Sequence, residues 1–369
     1  MKNSFGTSVI TTIFGESHGS HIGAVLDGIA PGIPVSTDVI EKYLSLRRPS
    51  GKISTKRVEK DEFIIASGVM NGKTTGAPIT IIIPNEDTRS RDYSKNFGLA
   101  RPSHADYAAN EKYHGFEDYR GGGHFSGRIT AALVAVGAIA LSALEAKGIR
   151  IGTHIKELAG VCDREFYDVI SDIDALSKLT FPVLSSEAGE KMKAEIEKLA
   201  EQGDSVGALL DSVVTGMPAG VGEPFFDSVE SVLGHAIFSI PAVKGVTFGA
   251  GRDFLSMRGS EANDGMRMEG GEVRFLSNNS GGACGGITTG ADITFKTVIK
   301  PTPSIYKEQE TIDIYNKESK TLLIEGRHDP CIAHRARIAV DAVTALALCD
   351  LLALRYGTDY LAPAGDSEK

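Results

Sequence analysis

Two stretches of the chain are apolar around their whole circumference rather than along one face. Ile129 to Leu144 reads ITAALVAVGAIALSAL and carries no charge until Glu145. Arg335 to Leu354 is a second long helix, rich in Ala and Leu and mostly apolar. A helix of that kind belongs in a protein core or in a membrane. A spanning helix needs about 20 predominantly apolar residues. The first run is shorter and dominated by Ala, whose small side chains suit close packing, so it predicts a buried core helix.

The remaining apolar positions fall into short runs. Glu62 to Val69 (EFIIASGV) and Ala77 to Ile83 (APITIII) predict strands bounded by Gly and Pro, with Asn71 and Gly72 as a turn between them. Val206 to Val214 and Ala291 to Ile299 predict strands as well. Glu187 to Gln202 is a charged helix with Met192, Ile196 and Leu199 at helical spacing, a solvated element with one apolar stripe. Element types alternate along the chain, and no Ser/Gly-rich or charge-block linker divides it. A loose echo is visible: RGGGHFSGR precedes the first apolar helix and EGRHDPCIAHR precedes the second. Two loop-into-core-helix units predict internal pseudo-symmetry within a single α+β domain spanning 1–369, with an ordered core at about 6–352 and a flexible tail at about 358–369.

Composition narrows the class. A chain of 369 residues buries a sizeable core without disulfides, and 41% hydrophobic with 24% charged residues is ordinary for a globular protein. A net charge of -9 argues against a general nucleic-acid binder, which presents a basic surface to phosphates. Cys162, Cys284, Cys331 and Cys349 have no CxxC spacing, so no zinc site or redox dithiol is expected. Scattered reduced cysteines, and a start at Met1 to Thr12 without signal-peptide character, point to the cytoplasm.

Candidate chemistry sits in loops marked by Gly or Pro. Gly15 to Gly19 carries Ser17 and His18; it is not a G-x-S-x-G elbow, because His18 stands between Ser17 and the second glycine. Arg47 and Arg48, before Pro49, begin a basic cluster with Lys52, Lys56 and Arg57. Arg101, His104 and Asp106 share another loop, where Asp106 is a candidate to orient His104. The run from Arg120 to Arg128 leads into the first apolar helix. Its glycines expose backbone N–H groups suited to phosphate, without P-loop or dinucleotide spacing. Lys300 to Ser304 offers an ammonium and hydroxyls, and Arg327 and Asp329 stand two residues apart before the second helix. Taken singly, each loop also fits a turn with a local salt bridge. Together, Arg48, Arg101, Arg128 and Arg327 suit a polyanionic small molecule, since a charged hydrogen bond contributes about 1.5–3 kcal/mol net. The residues alone reach an enzyme on a phosphorylated, carboxylated metabolite, not its reaction.

The ordered set of motifs resembles the chorismate synthase family. FGESHG at 14–19, VLDG at 25–28 and PGIP at 31–34 open it, followed by RRP at 47–49, SGV at 67–69 and TTGAPI at 74–79. RPSHADY at 101–107, YRGGG at 119–123 and GDSVGA at 203–208 follow. AVKGV at 242–246, GGI at 285–287, KPTPS at 300–304 and GRHDPC at 326–331 complete it. The resemblance implies an α+β fold with long core helices between antiparallel sheets, assembled as a homotetramer. It implies conversion of 5-enolpyruvylshikimate 3-phosphate to chorismate by 1,4-elimination of phosphate, with reduced FMN lending electron density and recovering it. Carried over by position, His18 would protonate the leaving phosphate and His104 would serve the flavin's protonation state. Asp329 is linked to proton removal, and Ser17 and Ser126 to proton relay. Arg48, Lys52, Arg101, Arg128 and Arg327 would bind substrate, Lys52 standing where many relatives have Arg. FMN contacts would fall on His124, Phe125, Ser126, Pro241, Ala242, Gly285, Lys300, Pro301, Thr302, Pro303, Ser304 and Arg327. Arg47 and Lys52 match positions assigned to NADP in members that reduce their own flavin. No metal, nucleic acid or membrane is implied. A flavin-free lyase or phosphatase on another phosphorylated metabolite, and a non-catalytic flavin- or nucleotide-binding regulator, are the competing readings.

One departure from the family pattern bears on the cofactor. Relatives commonly read GGGRSSARET where residues 121–130 read GGGHFSGRIT, so His124, Phe125 and Ile129 replace Arg, Ser and Glu. If backbone N–H groups do the holding, His124 suffices and Phe125 packs on the ring system. His124→Arg is then expected to change FMN affinity only modestly. A fluorescence titration showing a large gain in affinity would overturn this.

Overall fold

The computed structural model describes residues 2–49, 51, 53–54, 60–86, 97–324, 326 and 328–363. Its sheets follow period-two burial. Along Ile79–Pro84, the side chains of Ile79, Ile81 and Ile83 are fully buried while those between are only half-buried. Ile293–Ile299 alternates in the same way. Such strands bury one face and pair edge to edge. In the first sheet the spatial order is Ser4–Phe5, Ile10–Gly15, His21–Asp27, Ile79–Pro84 and Ile64–Ser67. In the second it is Val243–Phe248, Ile293–Ile299, Ala208–Thr215, Arg150–Leu158 and Val161–Cys162. Every pairing in both sheets is antiparallel.

The helices fill the space between the sheets. Thr130–Glu145, the first core helix, packs on the first sheet through His21–Asp27 and Ile79–Pro84. Ala333–Tyr356, the second, packs on the other sheet through Arg150–Leu158 and Ala208–Thr215. Each also packs on the other, and Thr37–Arg47 and Val229–Phe238 complete the layer. The architecture is therefore α+β, with long helices enclosed by antiparallel sheets. Counted from its leading turn, Gly127–Glu145 is long and apolar enough to cross a membrane by length and composition. Thr130 to Leu141 are nevertheless all buried against protein, so it is a core helix.

Close approach of the two helices depends on a missing side chain. A Cβ on Gly137 would lie 2.5 Å from Ala342 Cβ and 2.9 Å from Ala342 Cα. Polar groups then fasten the second helix to its sheet. Thr153 Oγ1 donates to Asp341 Oδ1 at 2.6 Å, and Arg337 Nη1 reaches Asp341 Oδ2 at 3.4 Å. Arg337 Nη2 also donates to the carbonyls of Leu176 and Leu179, at 3.0 and 2.9 Å. Farther along, Asp350 Oδ1 accepts from the backbone N–H groups of Thr7, Ser8 and Val9 at 3.1, 2.7 and 2.8 Å, tying the N-terminal segment to the helix.

Several expected boundaries shift for local reasons. The strand expected to Val69 stops at Ser67, because Gly68 has φ +78° and a Cβ there would meet Ile79 Cα at 2.7 Å. Asn71 and Gly72 turn between two short strands, Val69–Met70 and Lys73–Thr74, rather than between the longer runs. Their φ values of 51° and 71° are those a two-residue I′ hairpin requires. The charged helix is Ser186–Glu201, capped by Ser185, with Met192 and Ile196 fully buried and Leu199 partly so. The end of the expected flexible tail, 364–369, lies outside the described residues.

Gly137→Ala tests the helix contact. Ala is the better helix former by about 1 kcal/mol, yet overpacking costs about 1–3 kcal/mol, so a net loss of stability is expected. Urea unfolding measures it, and a stabilised variant would overturn the packing argument.

Candidate active site

A cavity of about 1080 Å³ opens where the loops preceding both core helices meet. Small-molecule sites usually enclose about 300–1,000 Å³, so this one stands at the upper end of that range. His124, Phe125, Ser126 and Arg128 reach its wall from the first loop, and Asp329 and Arg335 from the second. Arg101 and His104 contribute from a third segment. Pro241, Ala242, Lys300, Thr302, Pro303 and Ser304 form another side, held together where Lys300 N donates to Ala242 O at 2.9 Å. Arg47, 3% exposed, closes the wall at the end of Thr37–Arg47.

Other expected site residues stand behind the wall or away from it. Ser17, His18, Arg48, Pro301 and Gly285 do not line the cavity. Gly285 belongs to a two-residue turn with Gly286, whose Cβ would strike Glu223 O at 2.5 Å, so that hairpin packs on the 223–228 loop instead. Lys52 and Arg327 lie outside the described residues, as do Lys56, Arg57 and 87–96.

Steric demands account for the triple glycine. Gly121, Gly122 and Gly123 all have positive φ (60°, 85°, 52°). A Cβ at Gly121 would sit 2.2 Å from the His18 ring, and one at Gly123 would sit 2.1 Å from Asp118 O. His18 therefore lies directly against the loop. Ser17 N donates to Gly123 O at 3.1 Å, and Ser17 Oγ lies 3.1 Å from Gly121 O, 3.2 Å from Arg120 O and 3.2 Å from His18 Nδ1. Carbonyl oxygens only accept, so the Ser17 proton goes to the backbone and His18 Nδ1 is the donor. His124 Nδ1 donates to Gly15 O at 2.7 Å, a second tie between the same two loops.

The arginine and histidine at 101–106 are arranged differently from expectation. Asp106 does not orient His104. It accepts two guanidinium bonds from Arg101, both 2.7 Å, and the Arg101 backbone N–H at 2.9 Å. Arg101 holds the Asp106 carboxyl below its usual range even though burial opposes this. His104 Nδ1 instead faces Pro102 O at 3.2 Å, and Nε2 faces Ser304 Oγ at 3.0 Å. Burial, and then Arg101, push the His104 pKa down to about 4. The ring is neutral at pH 7, with its proton on Nδ1 and its lone pair toward Ser304. Lys300, donating to Ser103 O at 2.7 Å, is lowered by burial and by Lys244.

Three groups escaped the sequence reading. Asp61 is buried behind the cavity and ion-pairs with Arg128; its other oxygen lies 3.9 Å from Arg48 Nε. Asn85 Oδ1 accepts from Arg128 Nε at 3.2 Å. Arg335 donates to Asp329 Oδ2 at 2.6 Å and, through Nε, to Arg47 O at 2.8 Å. Asp61 hides in the charged run EKDE, which reads as a solvated face. Arg335 did carry a signal: a cation in the first turn of a helix opposes the helix dipole. The site thus gathers guanidinium groups beside a histidine in one cavity, an arrangement suited to binding an anion and moving protons next to it.

The chorismate synthase family model matches residues 9–353. The chain belongs to the chorismate synthase family. It is 42% identical over 348 residues to the chorismate synthase of Korarchaeum cryptofilum (strain OPF8), covering 94% of this chain and 96% of that one. To the chorismate synthase of Chitinophaga pinensis it is 44% identical over 352 residues, 95% and 97% of the two chains. A crystal structure of chorismate synthase superposes with a TM-score of 0.73 at 26% identity, covering 95% and 94%. The family thus supplies the frame in which these loops converge.

Two histidines make the fold acid-sensitive. His104 and His334 both have pKa values lowered to about 4, in each case chiefly by burial. An unfolded chain protonates them near 6.5, so stability is expected to fall as pH drops from about 6.5 toward 4. Each ring contributes up to about 1.4 kcal/mol per pH unit in that window. His154 is raised by Asp163 and Asp211 against burial, so its contribution is lost only on the alkaline side. Denaturant unfolding at pH 7, 6 and 5 should show a shallower decline for His334→Gln; an unchanged slope would refute the assignment.

Proposed function

We propose that the chain is a carbon–oxygen lyase that converts 5-enolpyruvylshikimate 3-phosphate to chorismate and phosphate with the aid of reduced FMN. The observation that carries this is the convergence of Arg101, Arg128 and Arg335 with His104 on one large cavity in a chain of this family. A substrate bearing a phosphate and two carboxylates needs several fixed cations, and charge-assisted bonds orient it. Arg101 and Arg128 bind it from the wall, with Arg48, Lys52 and Arg327 as further partners in the proposal. His18, set behind the wall against the cavity-lining Gly121, is the proposed proton source for the departing phosphate, with Ser17 holding its ring at Nδ1. Asp329, oriented by Arg335, is the carboxylate linked to removal of the ring proton.

The residues on the wall fit a flavin mononucleotide. Thr302 Oγ1 is a buried hydroxyl with no partner among the described residues. Lys300 and Lys244 supply positive charge beside it. The neutral His104 and the half-exposed Phe125 offer an acceptor and an aromatic face. Lys300 to Ser304, Pro241, Ala242 and His124 to Ser126 would hold the cofactor, while Gly285 is left out. Bound in reduced form, FMN would lend electron density to the elimination, which suits a ring hydrogen that no carbonyl activates. Arg47 is too deeply buried to favour a dinucleotide contact in this conformation, so self-reduction by NADPH is not part of the proposal. A cytoplasmic homotetramer is the proposed state, supported by four free cysteines and by exposed Phe225, Phe226 and Leu255.

Anaerobic incubation with dithionite-reduced FMN and 5-enolpyruvylshikimate 3-phosphate should yield chorismate, and His18→Ala should lower the rate about 10²–10⁴-fold. No product from the unaltered chain would overturn the reading. Product without FMN would establish a flavin-free lyase instead.

A further inference from the structure

Among the charged groups around the cavity, Asp61 stands apart. It belongs to the short segment leading into Ile64–Ser67, in a charged stretch that pattern alone assigns to solvent. Its side chain is nevertheless 0% exposed. The backbone adopts φ 52°, a left-handed conformation that Asp tolerates better than most residues. Burying a lone carboxylate costs several kcal/mol unless cations and hydrogen bonds compensate it. The compensation comes from two arginines. Oδ1 ion-pairs with Arg128 Nη1, and Oδ2 lies 3.9 Å from Arg48 Nε.

The rest of the Arg128 guanidinium is gripped from the same side. Nε donates to Asn85 Oδ1 at 3.2 Å, and Nη2 reaches Pro84 O at 3.4 Å. Asn85 is itself fixed, donating through Nδ2 to Glu16 O at 2.9 Å and Gly19 O at 3.0 Å. Arg128 borders the cavity with 11% of its side chain exposed. Arg48, set behind it, bonds the carbonyl of Lys60 next to Asp61. Two guanidinium groups held this close repel each other before any anion arrives. A fixed carboxylate between them removes that repulsion and leaves the exposed edge of Arg128 in one orientation. Removing it would have two opposed effects: a more positive wall, which attracts an anion, and a mobile guanidinium, which must be ordered on binding. Orientation wins here, because the charge-assisted fork to substrate depends on a planar group held at a set angle.

We propose that Asp61 is a positioning residue for substrate binding: a buried carboxylate that, with Asn85, aims the Arg128 guanidinium into the cavity and keeps Arg48 beside it. This rests on the substrate assignment above. The test uses the full chain, reduced FMN and 5-enolpyruvylshikimate 3-phosphate, and compares Asp61→Asn with the unaltered protein. KM, and the Kd from calorimetry without flavin, should each rise about tenfold while kcat stays within about twofold. In an Arg128→Lys background, Asp61→Asn should add less than twofold, because its target has gone. An unchanged or lower KM would overturn the proposal, as would a full tenfold loss in the Arg128→Lys background. Should Asp61→Asn fail to fold, Asn85→Ala must show the same rise in KM at near-constant kcat, and a normal KM there overturns it equally. If the unaltered chain binds no 5-enolpyruvylshikimate 3-phosphate in the calorimeter, the substrate assignment fails together with this inference. If it binds, but equally well after Asp61→Asn, only the inference fails.

Discussion

Contact between the two core helices, at Gly137 and Ala342, sets the geometry of everything downstream. Neither helix has a solvated face over most of its length, so each must find protein on every side. A glycine at the crossing lets the backbones approach more closely than any side chain would permit. Each helix is preceded by a loop rich in polar side chains, the first at 120–129 and the second at 326–332. Fixing the helix pair therefore fixes the two loops relative to each other, and the cavity forms where they meet. Both helices also begin at that cavity, so their positive dipole ends add to the cationic wall.

Charge in the wall is held rather than free. Arg101 is clasped by Asp106, Arg128 by Asp61 and Arg335 by Asp329. Pairs of this kind gain little net stability, because desolvation offsets attraction. Their value is orientation. A guanidinium fixed on one edge presents the other at a set angle, so less conformational entropy is lost when an anion binds. The same desolvation keeps His104 neutral and gives its lone pair a defined direction toward Ser304. An acidic chain can thus carry a cavity with more Lys and Arg than Asp and Glu on its wall, since the net charge of -9 says nothing about where the charges meet.

Legibility in the sequence was uneven, and for physical reasons. The strand Ile79–Pro84 could be read because its period-two pattern reflects which face is buried. The glycines at 121–123 could be read as a tight loop, but their cause, the His18 ring and the Asp118 carbonyl, could not. Asp106 was a candidate partner for His104 because both lie in one short loop; the Arg101 fork won, since two parallel bonds to a full cation are stronger than one to a neutral ring. Asp61 looked like one more charge in a polar run. Only its distant contact with Arg128 makes it a buried group.

What the amino-acid sequence determined by itself was local and cumulative. Apolar periodicity set the element types, glycine and proline marked the loops, and the ordered motifs identified the family. The tertiary structure decided which charges meet. Asp61 and Arg128 lie far apart in sequence, as do His104 and Ser304 and the two crossing helices. Such pairings depend on sheet register and on how closely the helices dock, and no local pattern along the chain encodes that distance.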